Sequence, residues 1–241
     1  MTAPGLTLSG SASFGETPVF GPLTLNVPAG QWTCLLGPSG VGKTTLLRLV
    51  AGLDDLTHFD GTITTSDGAP LRGRIALMAQ SDLLMPWLSV LENTLLGARL
   101  RGETPDRDRA RDVLARVGLT DHQGKRPGAL SGGQRQRVAL ARTLMEDRPV
   151  VLLDEPFSAL DARTRADMQN LACELLTGRT VLMVTHDPGE AARLGHRITI
   201  METGGLSPVT PPPGPAPRPV DDPATLQAQA ALLNRLRDSA A

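Results

Sequence analysis

The sequence predicts an α/β fold with buried parallel strands, a strand-rich first third and a helical middle segment. Three observations predict it. A glycine-rich loop, residues 37–45, lies between an apolar strand and a helical run. Two uninterrupted apolar runs, Val150–Leu153 and Val181–Val184, are typical of parallel strands buried on both faces. From about 83 to 144 the pattern becomes helical, which separates a strand-rich first third from those parallel strands.

The first third is expected to contain short strands arranged around one helix. Apolar residues alternate with polar ones near residues 6–8 and 23–27, which favours strands with one buried face. Further strands are expected at Trp32–Leu36, Gly61–Thr65 and Ile75–Met78. The first third is therefore predicted to be rich in strands around that helix.

The middle of the chain is expected to be helical. Ala110, Val113, Leu114 and Val117 lie at helical spacing on one face, and Gly118 follows as the expected C′ residue. Further along, an amphipathic helix around residues 168–175 is predicted to cross between the two parallel strands.

The C-terminal part changes composition sharply. The last strand is expected at Ile198–Met201, and beyond Ser207 the many prolines predict an extended or disordered linker. A short helix is expected to follow, and its apolar side is predicted from residues at helical spacing: Leu226, Ala230, Leu233 and Leu236. This helix either docks on the main body or stays loose, and a loose tail is favoured.

Composition limits the class of protein. The 241 residues include 24 Lys and Arg against 25 Asp and Glu, a formal charge of -1, so no net attraction to nucleic acid is expected. The N-terminus has neither a basic nor an apolar stretch, and no run approaches the length of a membrane span. Cys34 and Cys173 are far apart and are expected to be buried thiols in a reducing compartment. A cytosolic protein is predicted, unless something else tethers it.

The glycine-rich loop, called the phosphate loop below, matches the pattern G-x-x-x-x-G-K-[ST]. Its residues are Gly37, Pro38, Ser39, Gly40, Val41, Gly42, Lys43, Thr44 and Thr45. The glycines let backbone N–H groups cradle phosphate oxygens in front of the positive end of the helix. Lys43 is then expected to reach the β- and γ-phosphates, and the Thr44 hydroxyl to hold Mg²⁺. A glycine-rich turn that merely caps a helix is the alternative, but the flanking strand and helix favour a nucleotide-phosphate site.

Two acidic residues follow the apolar run Val150–Leu153. This places Asp154 and Glu155 at the C-terminal end of a buried strand, where α/β sheets present their chemistry. Asp154 is expected to hold Mg²⁺ through water, and Glu155 to orient and polarise the attacking water as a general base. Acids that merely end a buried strand are the alternative.

The segment Leu130-Ser131-Gly132-Gly133-Gln134, called the signature segment below, has two interpretations that are compatible. Local rules predict a capping box, with Ser131 as N-cap and Gln134 reaching back. The segment also resembles the Leu-Ser-Gly-Gly-Gln signature of ATP-binding cassette (ABC) ATPases. In that family the signature of one subunit closes over the γ-phosphate held by the partner's phosphate loop. The resemblance therefore implies that Ser131, Gly132, Gly133 and Gln134 bind ATP held by a second copy.

The resemblance implies a fold and a division of the chain. The implied fold is an α/β P-loop NTPase core with an antiparallel β-lobe and an inserted α-helical signature subdomain. Residues 1–206 would form the nucleotide-binding domain, with the helical subdomain at about 82–148. Residues 207–241 would form a proline-rich linker and a short C-terminal helix.

Four further residues match family motifs in family order. Gln80 resembles the Q-loop glutamine that senses Mg²⁺ and γ-phosphate, and His186 resembles the H-loop histidine that contacts γ-phosphate. Asp161 resembles the D-loop aspartate at the dimer interface, although it is also expected as an N-cap. Phe14 aligns with the aromatic that stacks on adenine, where the family often has Tyr. A core position in the β-lobe is the alternative for Phe14.

The segment from Leu83 to Asn93 narrows the implied role. It resembles the Leu-Pro-Trp-x-x-Val-x-Glu-Asn stretch of bacterial importer ATPases of the nitrate/sulfonate/taurine group, which includes importers of thiamine-precursor pyrimidines. In the family this region faces the permease. The alternative for Trp87 is a place in the core of the subdomain.

The implied protein is an ATPase that binds ATP and Mg²⁺ and powers import of a small solute. Its implied partners are a second copy of itself, transmembrane permease subunits and, indirectly, an extracytoplasmic solute-binding protein, with no nucleic acid. It would lie in the cytoplasm, peripheral on the inner face of the cell membrane. An efflux or lipoprotein-release ATPase, or a soluble ABC ATPase of a non-transport complex, are the alternatives.

Overall fold

The larger sheet of the protein has six strands, five of them parallel. The structure is a computed structural model, and it describes residues 3–53, 57–203 and 205–238. In spatial order the strands are β5 (Ile75–Met78), β6 (Val150–Asp154), β7 (Thr180–Thr185), β3 (Trp32–Leu36), β8 (Arg197–Glu202) and β9 (Gly205–Val209). Only β9 runs antiparallel to its neighbour. Strands β3, β6 and β7 are buried along their whole length, which explains their uninterrupted apolar sequences.

A three-stranded antiparallel sheet forms the predicted lobe. Its order is β2 (Thr17–Val27), β1 (Leu6–Phe14) and β4 (His58–Thr65). Its apolar residues share one core cluster with the helix α1 (Lys43–Ala51) and with one face of β3, β6 and β7. The prediction of a parallel sheet with an antiparallel lobe is therefore confirmed.

Four helices form the inserted segment between β5 and β6. They are α2 (Val90–Thr94), α3 (Leu96–Leu100), α4 (Arg107–Arg116) and α5 (Gly132–Met145). On α4 the buried residues are Ala110, Val113 and Leu114, and Gly118 has a φ of 69°, as the spacing predicted. The helix α6 (Ala162–Leu175) crosses from β6 to β7, and α7 (Pro188–Leu194) connects β7 to β8.

Two predictions about the C-terminal part are wrong. Ile198–Met201 lies in β8, which is not the last strand, because β9 follows it and pairs with it antiparallel. The tail is also not loose, since α8 (Pro223–Asp238) packs against α7 and buries Leu232 to 2% exposure. Its apolar side was predicted correctly only in part: Leu226 and Leu233 are about half exposed, whereas the predicted Leu236 packs against the core together with Ala228.

A buried arginine explains why the proline-rich stretch is ordered. The Arg218 guanidinium donates to the carbonyl oxygens of Ala192 at 2.9 Å and Gly195 at 3.0 Å, at the end of α7. Its backbone N–H donates to Arg193 O at 3.0 Å. Composition alone gave no sign of this anchor, because a proline-rich composition is also typical of extended linkers.

Candidate functional site

The phosphate loop joins the end of β3 to the start of α1. Gly42 is the N-cap of α1 with a φ of 104°, a left-handed conformation that favours glycine. Gly37 is required for a different reason, since a Cβ there would lie 2.4 Å from the carbonyl oxygen of Met201 on β8. The loop is thus packed closely against the sheet, with the N-terminus of α1 behind it.

Lys43, the first residue of α1, folds back over this loop. Its side chain is only 5% exposed, and Nζ donates to the carbonyl oxygens of Gly37 at 2.8 Å and Pro38 at 2.7 Å. Burial lowers the pKa of Lys43, and the negative charges of Glu155 and Asp154 oppose that shift. These carboxylates and carbonyls hold the ammonium group at the centre of the site.

Thr44 and Asp154 bring two oxygen ligands together beside Lys43. The Thr44 hydroxyl donates to Asp154 Oδ1 at 3.3 Å. Burial raises the pKa of Asp154, the charge of Glu155 adds to that shift, and the Thr44 hydrogen bond opposes it. One hydroxyl and one carboxylate suit Mg²⁺, which is usually held by one or two protein oxygens together with waters and substrate phosphates. The residues present therefore fit this cation.

Glu155 lies between Gln80 and His186. Gln80 Nε2 donates to Glu155 Oε2 at 3.3 Å, and His186 Nδ1 lies 3.0 Å from Glu155 Oε1. The three residues follow β5, β6 and β7, which are adjacent parallel strands, so their C-terminal ends meet at one edge of the sheet. The structure thereby brings together three predicted residues from distant parts of the sequence.

An open cavity of about 410 Å³ adjoins the phosphate loop and is lined by both Gln80 and Glu155. Phe14, Pro18 and Val19 of the antiparallel lobe also line it. Phe14 is 46% exposed, so the alternative of a core phenylalanine is wrong. An exposed aromatic ring in this lining is suited to stacking on a planar ligand group.

The signature segment lies apart from this cavity. Ser131 caps α5 as predicted, since its Oγ accepts from Gln134 N at 3.2 Å and its N–H donates to Gln134 Oε1 at 2.8 Å. Within the described residues no hydrogen bond joins residues 131–134 to the phosphate loop. Gly132 borders a second cavity of about 240 Å³ beside Gln80 and Ser158.

Asp161 is also not among the residues that line the phosphate-loop cavity. It is the N-cap of α6, and its side chain accepts from Thr164 N at 3.1 Å. The hydrogen bonds from Thr164 hold the pKa of Asp161 below its ordinary range. The expectation of an N-cap is therefore confirmed.

Trp87 is 66% exposed, so the alternative of a core tryptophan is wrong. Asn93, to which the sequence pattern assigned no role, is buried and fixes the loop that carries Trp87. Asn93 Oδ1 accepts from Met85 N at 2.8 Å, and its Nδ2 donates to the carbonyl oxygens of Leu88 and Ser89. The residue type was visible in the sequence, but the partners of its amide were not.

Two arginines of α5 were also missed. Arg135 Nε donates to Asp82 Oδ2 at 2.9 Å, and Arg142 donates to the carbonyl oxygens of Asp82 and Leu83, both at 2.8 Å. They hold the chain that follows Gln80 against α5. The charge pattern of α5 alone does not distinguish them from solvated arginines.

In the part of the chain that the structure describes, no helix is long and apolar enough to span a membrane. Both cysteines of the chain are free, and burial raises the pKa of the Cys173 thiol to about 12.

Comparison with known proteins gives consistent results. The family model described as ABC transporter matches residues 20–158. An aliphatic sulfonates import ATP-binding protein, SsuB 2, from Agrobacterium fabrum is 49% identical over 198 residues, which cover 80% of this chain and 74% of that protein. The SsuB protein of Escherichia coli is 42% identical over 228 residues, or 94% of this chain and 88% of that protein.

Two further proteins agree with this result. An uncharacterized ABC transporter ATP-binding protein from Haemophilus influenzae is 43% identical over 233 residues, covering 94% of this chain and 95% of that protein. The solved dimeric structure of MJ0796, a bacterial ABC transporter cassette, superimposes with a TM-score of 0.73 at 30% identity, over 84% of this chain and 96% of that chain. This chain therefore belongs to the ABC transporter family, as one of its ATP-binding, ATP-hydrolysing subunits.

Proposed function

We propose that this chain powers import of a small solute as the ATPase subunit of an ABC importer in the nitrate/sulfonate/taurine group. The observation that carries the proposal is the Glu155 carboxylate, held between Gln80 and His186 at the edge of the phosphate-loop cavity. A carboxylate at that place is suited to take a proton from a water that attacks a phosphate.

Each side chain has a separate task in this proposal. The phosphate loop binds the phosphates through its N–H groups and Lys43, while Phe14 stacks on the adenine. Thr44, Asp154 and Gln80 hold Mg²⁺, which when bound neutralises charge on the phosphate oxygens. Glu155 accepts the proton of the attacking water, and His186 donates a hydrogen bond to the γ-phosphate.

Two copies complete the site. Ser131 and Gly132 are exposed at the N-terminus of α5, where the helix dipole and unpaired N–H groups favour an anion. In the proposal, the signature segment of each copy closes over the γ-phosphate in the other, and Asp161 lies at the interface between the copies. The dimeric state of the solved cassette supports this arrangement.

The permease is the other partner that this chain would contact directly. The exposed Trp87 lies on a loop held rigid by Asn93, as a surface that docks a membrane protein requires. The chain would then be peripheral on the cytoplasmic face of the membrane, with a solute-binding protein on the other side. The import systems named for its sulfonate relatives support this assignment.

The ATPase role is tested with the purified chain. Release of phosphate from ATP should require Mg²⁺ and should rise more steeply than linearly with protein concentration, because each site needs two copies. Turnover that is independent of Mg²⁺, or strictly proportional to protein concentration over a range where the monomer dominates, would contradict the shared site.

The importer role is tested by co-purification from membranes. A polytopic permease should be recovered with the wild-type chain, and Trp87→Ala should reduce that recovery without changing basal ATP hydrolysis. Leu233→Ala is the matched control, since Leu233 is also an exposed apolar residue but lies on α8. Recovery of an efflux or lipoprotein-release partner, or of ribosomes or DNA, would overturn the importer assignment.

A further inference from the structure

Glu155 has an unusual backbone conformation. Its φ is 48°, in the left-handed region, which residues other than glycine rarely adopt. Such a conformation is strained and persists only where the surrounding structure holds it. The direction of the carboxylate depends on this conformation, so the groups that hold the backbone also aim the proposed base.

Three elements hold the main chain of Glu155. Its N–H donates to Val184 O on β7 at 2.9 Å. Its carbonyl oxygen accepts from the Ser158 hydroxyl at 3.1 Å and from Gln136 Nε2, a side chain of α5, at 3.0 Å. Of these, only Gln136 comes from the helical segment that begins at the signature segment.

The Gln136 side chain is fully used in this contact. It is only 7% exposed, and its Oε1 accepts from Ala159 N at 2.8 Å. Because a backbone N–H can only donate, this bond fixes the amide orientation and directs Nε2 to Glu155 O. Gly133 allows the close approach, since a Cβ there would lie 3.1 Å from Ala159 O.

We propose that Gln136 is a positioning residue for ATP hydrolysis, which sets the aim of Glu155 through its backbone carbonyl. This inference rests on the proposed role of Glu155 as general base. Because Gln136 lies on α5 five residues after its N-cap Ser131, a shift of α5 is transmitted directly to Glu155. The signature segment facing one ATP is thereby coupled to the base that acts on the other.

Two substitutions test the inference. Gln136→Met keeps the length of the side chain but removes both the donor and the acceptor. Gln136→Glu keeps an acceptor for Ala159 N–H and loses the donor to Glu155 O. Thr143→Val is the matched control, because Thr143 is buried on the same helix but donates only to Ala139 O within it.

We expect both Gln136 variants to lower kcat by about 10- to 100-fold, as small misplacements of a catalytic group do. The Kd for ATP should change less than about twofold, since Gln136 does not line the phosphate-loop cavity, and Thr143→Val should keep wild-type kcat. A wild-type kcat in Gln136→Met would overturn the inference. If thermal melting shows that this variant is unfolded, Gln136→Glu is used instead, and a wild-type kcat in that variant would overturn the inference.

A double substitution separates positioning from general destabilisation. If Gln136 acts through the Glu155 carboxylate, adding Gln136→Met to Glu155→Gln should leave the residual single-turnover rate unchanged within about twofold. A further 10-fold loss of this rate in the double variant would mean that Gln136 does not act through Glu155. That result would overturn this inference and leave the proposed function intact. Wild-type turnover in Glu155→Gln by itself would instead overturn the proposed function together with this inference.

Discussion

The phosphate loop and the signature segment each lie at the N-terminus of a helix, but they differ in burial and in the charged groups around them. At the start of α1 the donors and charges are gathered inward: Lys43 is almost fully buried and is bonded to Gly37 and Pro38. At the start of α5, Ser131 and Gly132 are exposed, and the cap is formed only with Gln134 of the same turn.

This difference shows that the groups of an anion site can all come from one chain or can need a second chain to complete them. The site at the start of α1 already contains the Lys43 ammonium group, the oxygen atoms of Thr44 and Asp154, and the Glu155 carboxylate. The site at the start of α5 has the N-terminal dipole and the Ser131 hydroxyl, and the Arg135 guanidinium donates to Leu130 O beside them at 2.9 Å. We expect substitutions at the first to alter chemistry and binding, and substitutions at the second to alter association.

The largest effect is expected from Glu155→Gln. An amide of the same shape cannot accept the proton, so turnover should fall by about 10²- to 10⁴-fold, the usual contribution of a general base. ATP binding should persist, and the ATP-bound dimer should accumulate, as seen by size-exclusion chromatography. A variant that turns over at the wild-type rate would remove Glu155 from the mechanism.

Ser131→Arg should act on association alone. The bulky cation at the exposed cap should prevent the ATP-dependent dimer and lower turnover by about 100-fold, while the monomer binds nucleotide normally. Ala115→Arg is the control, because it adds the same charge to an exposed position of α4. An inactive Ser131→Arg variant that also fails to bind nucleotide would indicate misfolding. It would contradict the expectation that this substitution affects association and leaves nucleotide binding unchanged.

Lys43→Ala should weaken ATP binding by about 10- to 100-fold, since hydrogen bonds to charged groups contribute about 1.5–3 kcal/mol. The affinity can be measured with a fluorescent nucleotide. Lys125→Ala is the matched control, because Lys125 is the only other lysine and is exposed. Equal affinities in the two variants would show that Lys43 has no part in phosphate binding.

The smallest effect is expected from Glu190→Gln. Burial raises the pKa of Glu190 to about 7, the charge of Asp187 adds to this, and Thr185, Arg165 and His186 oppose it. The folded state therefore binds the proton more tightly than the unfolded state. This contribution to stability is fully present below the ordinary glutamate pKa and is lost as the pH rises through about 7.

The neutral amide of Glu190→Gln avoids that loss. The variant should gain roughly 1–3 kcal/mol of unfolding free energy relative to wild type between pH 5 and pH 8. Urea unfolding at both pH values measures the change, and the exposed Glu16→Gln should show no such difference. A constant difference between Glu190→Gln and wild type at all pH values would mean that Glu190 does not titrate in this range.

Much of the site follows from the sequence because its parts lie at the ends of regular elements. The apolar strands predicted where Glu155 and His186 would lie, and parallel pairing of β6 with β7 brings them together. Contacts made by single polar side chains did not follow. Gln136 and Asn93 bond to backbone groups 19 and 8 residues away, and no periodic pattern records such partners.

The C-terminal part also shows what a sequence pattern does not predict. Leu226, Ala230, Leu233 and Leu236 form a plausible apolar face, and the helix that they predicted exists. The face that docks instead includes Ala228 and Leu232 together with Leu236, and Arg218, which precedes α8, is bonded to Ala192 O of α7. Helical periodicity gives the helix but not its rotation when two faces are both partly apolar.

The anchored arginine also changes how this stretch should behave in hydrogen exchange. Segments rich in proline normally have few amides and exchange them quickly, because nothing protects them. The amide of Arg218 is bonded to Arg193 O next to a buried guanidinium. We therefore expect one slowly exchanging amide in the middle of a stretch that composition alone would assign to disorder, and it should exchange at the rate of α7.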